Sequence, residues 1–283
     1  MTAKPPDGVY ALDVSVTEDR LHRHRVAFPW SLGRAYACET WMGAFRLIPQ
    51  VSGAGLLSGD HVWQRVRLEA NARLRLESAG AMQVLAGKSG PARSEWSFVL
   101  NRGAMLVLDA EPYALMPGAK LMLRNHIQLA PGAIVLAAEA LCDTVPNTQT
   151  SLDQLPDWQT ETRVAETSGA LRFIDRQVAS PRSHACLRQL PDRSAAFGTI
   201  WVLADASLAE LVVAELPDLH CLMALSPLRT GTGMAIRLAA CNGGVLRCAC
   251  RLLMSVLESR LAEAQAASQA AWSLRAPTIA AQT

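Results

Sequence analysis

Glu69-Ala-Asn-Ala-Arg-Leu-Arg-Leu76 is the first of three similar stretches in this sequence. The others are Leu100-Asn-Arg-Gly-Ala-Met-Leu-Val-Leu108 and Leu129-Ala-Pro-Gly-Ala-Ile-Val-Leu136. Each is a turn of small residues that leads into an apolar run, and the interval between copies is about 30 residues. Such repetition is typical of a unit that buries its apolar side by stacking on the next copy. The sequence therefore predicts a repeating β unit.

The segments around these turns alternate apolar and polar side chains, which is the period of a β-strand. In residues 61–68 the even-numbered positions, apolar except for Gln64, alternate with Trp63, Arg65 and Arg67. Similar segments recur about every 10 to 12 residues, separated by Gly, Pro, Asn or Asp. This spacing predicts a predominantly β protein built as a sandwich, a barrel or a helical stack of strands.

Helices are predicted only in the C-terminal third of the chain. Ser207 and Glu210 have the spacing of a capping box, which predicts a helix over residues 208–216. A second helix is predicted from Asn242 through Leu261, where apolar residues form a wide stripe.

These patterns predict one domain that spans the whole chain. Two polar, proline-containing stretches, 147–162 and 180–194, are interpreted as segments without strands. The predicted organisation of residues 1–283 is a β-rich part at 12–203, a mixed strand and helix part at 204–272, and a tail at 273–283.

Composition excludes several classes of protein. Half of the residues are apolar and 18% are charged, so the chain can bury enough surface to offset the entropy of folding. The net charge of +2 gives no argument for a nucleic-acid or membrane partner. The sequence has no run of about 20 apolar residues and no apolar signal core, which predicts a cytoplasmic protein. Its seven cysteines, an odd number, argue against a disulfide framework.

One stretch imitates a phosphate-binding loop. Met82-Gln-Val-Leu-Ala-Gly-Lys-Ser89 has the required Gly-Lys-Ser ending, and Asp109 and Glu111 follow an apolar run as magnesium-binding acids do. However, Met82 stands where the first glycine should be, and Gly90 and Pro91 replace the start of a helix. No other catalytic constellation is apparent, so we predict a protein without enzymatic activity and keep a divergent nucleotide hydrolase, using Lys88, Ser89, Asp109 and Glu111, as an alternative.

The order of several short motifs resembles that of a known family. From about Trp41 to Leu261, the motifs are Gly43-Ala-Phe-Arg46, Gly55-Leu-Leu-Ser-Gly-Asp60, Glu111-Pro-Tyr-Ala-Leu-Met-Pro-Gly118-Ala119, Asp175, Gly198-Thr199 and Arg237. Their order and spacing resemble the urease accessory proteins called UreD or UreH. Four positions depart from the family pattern: Ala44 replaces a proline, Ser58 a glycine, Gln83 a lysine and Leu85 a tyrosine.

The resemblance implies a non-catalytic scaffold of superhelically stacked strands, similar to a β-helix. Such proteins bind the helical protein UreF, which recruits the GTPase UreG, and the assembly docks on apo-urease to deliver nickel to its binuclear site. No tightly bound cofactor is implied, and nickel is bound transiently at most. An alternative is a β-rich interaction protein that descends from the same fold and has no role with metal.

The resemblance also implies an internal passage for the ion. Asp60 and Glu139 fall at acidic positions of family-like segments and, with Ser78, are candidates to line this passage. Carboxylate and hydroxyl oxygens suit weak, releasable contacts with a divalent cation. The C-terminal helix is a candidate to face either a partner or the core, with a stripe formed by Val245, Leu252, Val256 and Leu261.

Overall fold

The computed structural model describes residues 11–38, 43–145, 151–189 and 194–275, with side chains of the last helix described through Ala267. The strands are β1 (Leu12–Val16), β2 (Leu21–Val26), β3 (Trp30–Leu32), β4 (Tyr36–Ala37), β5 (Phe45–Leu47), β6 (Pro49–Val51), β7 (His61–Leu68), β8 (Arg73–Glu77), β9 (Met82–Val84), β10 (Ala92–Leu100), β11 (Met105–Asp109), β12 (Tyr113–Leu115), β13 (Lys120–Leu129), β14 (Ile134–Asp143), β15 (Asp157–Glu166), β16 (Leu171–Ala179), β17 (Ala196–Leu203), β18 (Leu222–Pro227) and β19 (Gly233–Ala240). The helices are α1 (Pro181–Leu187), α2 (Ala206–Val213) and α3 (Gly243–Arg275), and short 3₁₀ turns lie at 152–154 and 229–231.

The strands coil into a β-solenoid of about three turns. Strands β7, β10, β13 and β15 are parallel neighbours in one sheet, and strands β5, β8, β11 and β14 are parallel neighbours in the other. Between β5 and β15 the chain therefore passes alternately through the two sheets. The first sheet has the order β16-β15-β13-β10-β7-β1-β2, and the second has the order β18-β19-β17-β14-β11-β8-β5-β4. Short strands β9 and β12 pair with each other on the way back to the first sheet. The predicted fold class, stacked strands with a few late helices, is confirmed.

The three similar turns of the sequence are stacked on one another. Each turn is closed by a backbone hydrogen bond that the N–H of a buried alanine donates to the carbonyl three residues earlier. The alanines are Ala72, Ala104 and Ala133. The residue before that alanine has a positive φ of 58° at Asn71, 67° at Gly103 and 74° at Gly132. Asparagine and glycine are the residues that adopt this conformation at least cost. Successive turns are joined by hydrogen bonds, such as the one that Asn71 N–H donates to the carbonyl of Arg102 at 2.9 Å.

Apolar side chains fill the space between the sheets and the space under the helices. Two clusters, centred on Phe98 and on Trp158, lie between the two sheets. A third lies between the outer side of the second sheet and helices α2 and α3. Helix α1 contacts β16 and the turn at 152–154. The outward face of the first sheet therefore has none of the described helices packed across it.

The boundaries of one strand and one helix correct the sequence-based expectations. The stretch 147–162 was expected to be a loop, but β15 begins at Asp157 and extends the parallel ladder of the first sheet. Its polar residues Thr160 and Thr162 are buried between the sheets, so polarity there marks an inward position and not a loop. The stretch 180–194 contains α1, which has Ser180 as its N-cap. Residues 146–150 and 190–193 are outside the described part.

The capping box predicted for the first late helix is wrong. Helix α2 begins at Ala206, and Asp205 is its N-cap residue without a side-chain hydrogen bond to the helix. Ser207 therefore lies inside the first turn, and the helix ends at Val213, three residues earlier than expected. Helix α3 continues to Arg275, so it includes the first three residues of the predicted tail; residues 276–283 are outside the described part.

Candidate functional site

A cavity of about 430 Å³ opens between the segments 49–55 and 76–83 and extends into the space between the two sheets. Exposed backbone and small side chains at 53–54 and 79–81 form its mouth. Its inner wall is formed by the side chains of buried residues from β13 and β14, including Asn125 and Glu139. Two of the residues expected from the sequence to line a passage, Ser78 and Glu139, both line this cavity.

Glu139 is a buried carboxylate at the inner end of the cavity. It lies in the middle of β14, where Ala138 and Ala140 pack toward α3, so its own side chain points between the sheets. Asn125 Nδ2 donates a hydrogen bond to Glu139 Oε2 at 2.6 Å, and the hydroxyl groups of Thr160 and Thr162 donate to the same carboxylate. Burial raises the pKa of Glu139 to about 7, against the opposing effect of the Thr160 hydrogen bond.

Glu139 belongs to a polar layer that continues to the far edge of the solenoid. Thr199 lies opposite Glu139 in the pairing of β14 with β17. Thr199 Oγ1 accepts hydrogen bonds from Arg237 Nη1 at 2.7 Å and from Gln177 Nε2 at 3.2 Å. Arg237 also forms an ion pair with Asp175 of β16. The polar layer thus brings together four residues that the sequence analysis names, each from a different strand: Glu139, Asp175, Thr199 and Arg237.

The carboxyl group of Glu139 should make stability depend on pH. Its pKa in the folded protein, about 7, lies above the ordinary value of 4.5, so between these two values the folded state binds a proton that the unfolded chain has released. The free energy of unfolding should therefore fall as pH rises through this interval and stay lower above it. Relative to wild type, the Glu139→Gln variant should gain up to about 3 kcal/mol between about pH 5 and pH 8 in urea unfolding.

The Ser207→Ala variant, altered at an exposed position of α2, is the control for this measurement, because it leaves the carboxyl group of Glu139 and its hydrogen-bond donors unchanged. It should show the wild-type slope of stability against pH. If the free energies of unfolding of wild type and Glu139→Gln differ by the same amount at pH 5 and at pH 8, the raised pKa of Glu139 is contradicted.

Asp60 has a different environment from Glu139. Its Oδ2 accepts a hydrogen bond from Leu57 N–H at 2.8 Å, and its own N–H donates to the carbonyl of Leu57. Asp60 thus closes the turn of the glycine-rich segment and is not among the residues that line the cavity. Of the three residues expected to line a passage, the structure brings together Ser78 and Glu139 and places Asp60 outside the cavity.

The glycine-rich segment 55–60 packs tightly on the loop 83–90. A Cβ atom at Gly55, where φ is +123°, would lie 2.2 Å from the carbonyl oxygen of Gln83, and one at Gly59 would lie 2.8 Å from Ser89 Cβ. Ser58 Oγ donates to the carbonyl of Gly90 at 2.8 Å and accepts from Ser89 N–H. Three of the four positions that depart from the family pattern, Ser58, Gln83 and Leu85, therefore belong to this pair of packed loops. The fourth, Ala44, is buried in the cluster that lies under the helices.

The residues of the alternative nucleotide site do not form a phosphate cradle. Ser89 N–H is bonded to Ser58, and the chain continues from the loop into strand β10 without a helix. Asp109 Oδ2 lies 2.6 Å from Arg75, and Glu111 forms ion pairs of 2.7 Å with Arg247 and Arg251 of α3. Both acids thus hold arginines, and Lys88 is an exposed residue of the loop.

The remaining motif residues have structural placements. Gly118, with φ of +71°, and Ala119 form a turn in which Gly118 N–H donates to the carbonyl of Gln154 at 2.8 Å. Gly198 lets α3 approach β17, because a Cβ atom there would lie 3.2 Å from Leu246 Cδ1. Arg46, from the first motif, is bonded to Glu77, and Trp41 lies outside the described residues.

The stripe predicted on α3 is rotated relative to the face that is buried. The buried face consists of Leu246, Ala249, Cys250, Leu253, Met254, Leu257 and Leu261. Of the four candidate residues, Leu261 is therefore in the core and Val245 packs partly against it. Val256 is half-buried and Leu252 is 46% exposed. The error arose because alternative apolar residues one position away, Leu246 and Leu253, compete for the same helical period.

Sequence reasoning missed the residues that surround Glu139. Gln64, Trp96, Asn125 and Thr162 lie side by side in the register of four neighbouring strands. The sequence does show a polar or amphipathic residue at an inward position of each of these strands. It does not show that these residues are neighbours, because that depends on how the strands are aligned in the stacked coils. No group of three or more His, Cys, Asp and Glu residues in the described part is placed to hold a metal ion. Among the described residues no helix is long and apolar enough to cross a membrane.

Comparison with known proteins identifies the family. Residues 8–273 match the family model described as UreD urease accessory protein. The chain is 28% identical over 232 residues to "Urease accessory protein UreD 1" of Methylorubrum extorquens (strain PA1), covering 80% of this chain and 78% of that protein. It is 24% identical over 234 residues to "Urease accessory protein UreD" of Mycolicibacterium smegmatis (strain ATCC 700084 / mc(2)155), covering 82% and 83% of the two chains. The fold, the placement of the motifs and the match over nearly the whole chain lead to one conclusion: this protein belongs to the UreD urease accessory protein family.

Proposed function

We propose that this protein is a cytoplasmic, non-catalytic scaffold in the maturation of urease. It bridges apo-urease to a UreF-like accessory protein, which in turn recruits a UreG-like GTPase, and it assists the delivery of nickel to the binuclear site of urease. Family membership supports a role in urease maturation. The cavity that contains Glu139 is the observation that supports a role in handling the ion.

The charges in the cavity make Glu139 the contact best suited to a passing cation. Three carboxylates line the cavity: Glu77, Glu111 and Glu139. Arginines neutralise the first two by direct ion pairs. Glu139 has no ion pair among the described residues and is held by hydrogen bonds from neutral donors. A divalent cation can therefore be attracted by this carboxylate without breaking an existing ion pair.

The protonation state of Glu139 favours release over tight binding. Because burial raises the pKa of Glu139 to about 7, a proton and a cation compete for the carboxylate near neutral pH. A single carboxylate with hydroxyl and amide neighbours also offers few ligands compared with a closed metal site. This arrangement supports transient contact with nickel and no resident cofactor.

Co-purification tests the scaffold role. The tagged protein, produced together with the urease subunits, a UreF-like protein and a UreG-like protein, should recover all of them. Leaving out the UreF-like protein should abolish recovery of the UreG-like protein, because that contact is indirect. Recovery of the folded protein alone would contradict the proposal and favour a β-rich interaction protein without a role in urease maturation.

A further inference from the structure

The outward face of the first sheet is an open protein surface. Its central strands β7, β10, β13 and β15 are mutually parallel. Parallel sheets are usually covered on both faces. Here the inward face is covered by the second sheet, whereas α2 and α3 pack on the other side of that second sheet. We call the outward side chains of β7, β10, β13, β15 and β16, together with Asp13 of β1, the open face.

The coils bring arginines that are distant in sequence together on the open face. Arg65 and Arg67 come from β7, and Arg93, Arg124, Arg163 and Arg176 come from the next four strands. Arg172 of β16 is left aside because it pairs with Glu166. Three carboxylates lie among these six cations, namely Asp13, Glu95 and Glu161. This group therefore has an excess of positive charge, although the whole chain has a net charge of only +2.

The carboxylates hold some of these arginines and leave others available. Asp13 bonds Arg65 at 2.5 Å, and Glu161 bonds Arg176 at 2.5 Å. Glu95 lies 3.5 Å from Arg124. Arg93 and Arg163 have no carboxylate partner among the residues that the structure describes. They are two strands apart, which is roughly 10 Å across a sheet, and Arg163 lies level with Ser97, four residues beyond Arg93 along the strands, so their Cα atoms are roughly 16 Å apart.

Apolar groups between the charges favour a protein as the partner. Trp63 packs against His61, with ring centroids 3.5 Å apart. Ile174 and Val178, at the edge strand β16, are 44% and 63% exposed. Arginine and tryptophan are enriched in the centres of protein interfaces.

We propose that the open face binds an acidic surface of a partner protein, with Arg93 and Arg163 receiving carboxylates of that partner. A guanidinium group can bind a carboxylate through two parallel hydrogen bonds, which gives both affinity and orientation. The excess of arginines over carboxylates on the open face supplies positive potential around this pair. The inference concerns a different surface from the cavity and does not depend on transport of an ion.

Two labelled probes of equal charge test this proposal: a fluorescein-labelled oligoglutamate peptide and a fluorescein-labelled oligothymidylate. The wild-type protein should bind oligoglutamate saturably at low ionic strength, and added salt should weaken binding. The Arg93→Glu/Arg163→Glu variant should bind it at least about tenfold more weakly, since two attractive contacts become repulsive. Fluorescence anisotropy measures each affinity.

The matched control is the Arg102→Glu/Arg182→Glu variant, which makes the same change in net charge at exposed positions away from the open face. It should retain the affinity to within about twofold, because its charges lie outside the site. Thermal unfolding must show that both variants fold, and Arg93→Gln/Arg163→Gln replaces the first variant if it does not. No saturable binding, an equal loss in both variants, or tighter binding of oligothymidylate would each overturn the proposal.

Discussion

Urease that matures with the Glu139→Gln variant is expected to contain at least about tenfold less nickel than urease that matures with the wild-type protein. The substitution keeps the size of the side chain and one acceptor oxygen, but it removes the negative charge and replaces the second oxygen with an NH₂ donor. The other two carboxylates of the cavity are held by arginines, so they do not replace it. Loss of a charged contact in a buried site costs roughly 1.5 to 3 kcal/mol, which corresponds to about a tenfold effect or more. Elemental analysis of purified urease gives the nickel content per active site.

Two measurements keep this result interpretable. The Glu139→Gln variant should still co-purify with its partners, so that a loss of nickel is separated from a loss of assembly. The Glu210→Gln variant, altered at an exposed position of α2, should load nickel as the wild type does. A wild-type nickel content with Glu139→Gln, in an intact assembly, would remove the role proposed for the cavity while leaving the scaffold role in place.

The Arg75→Ala variant is expected to lose about 3 to 5 kcal/mol of stability, the cost of breaking a buried charged network. Arg75 binds three carboxylates: Glu77 at 2.5 Å, Asp109 at 2.6 Å, and Glu258 of α3. Burial opposes the charge of Arg75, but hydrogen bonds to Glu77 and Glu258 outweigh it and raise its pKa above the ordinary value. Without the guanidinium group, three carboxylates would face one another with little access to water. Urea unfolding followed by tryptophan fluorescence measures the loss.

Arg46→Ala is the control, because Arg46 contacts the same Glu77 but its side chain is 44% exposed. Its loss should be below about 1 kcal/mol, as for surface ion pairs. Because Arg75 and Glu258 form one pair, the double variant Arg75→Ala/Glu258→Ala should be more stable than the sum of the single losses predicts. Similar losses for Arg46→Ala and Arg75→Ala would show that the network around Arg75 contributes no more to stability than a surface ion pair does.

The stacked-strand fold could be predicted from the sequence because its repeated turns are formed by local residue preferences. Asn71, Gly103 and Gly132 provide the positive φ that each stacked turn needs, and the alanine that follows each of them is buried. The missed strand β15 shows where this reasoning ends. Its inward residues are polar, so an argument from apolar alternation interpreted them as loop, whereas they complete the polar layer around Glu139.

The candidate site was only partly predictable for a topological reason. The sequence indicates Glu139 as an acidic position of a family-like segment, and Asp175, Thr199 and Arg237 as separate motif residues. Their contact depends on β17 being inserted between β14 and β19, a neighbour relation that periodicity does not encode. Asp60 shows the reverse limit, because the resemblance implied a place in a passage, whereas its carboxylate closes a local turn by accepting a hydrogen bond from Leu57 N–H.

The stacked turns also restrict how this protein can change in length. Each coil contributes one rung to both sheets, and neighbouring rungs are about 4.8 Å apart. Removing part of a coil would exchange inward and outward side chains along a strand, whereas adding or removing a whole coil preserves them. Insertions are therefore tolerated between strands or in multiples of the full repeat. The interior between the cavity and the far edge can therefore lengthen only by whole coils, and the number of coils equals the number of times the turn pattern occurs in the sequence.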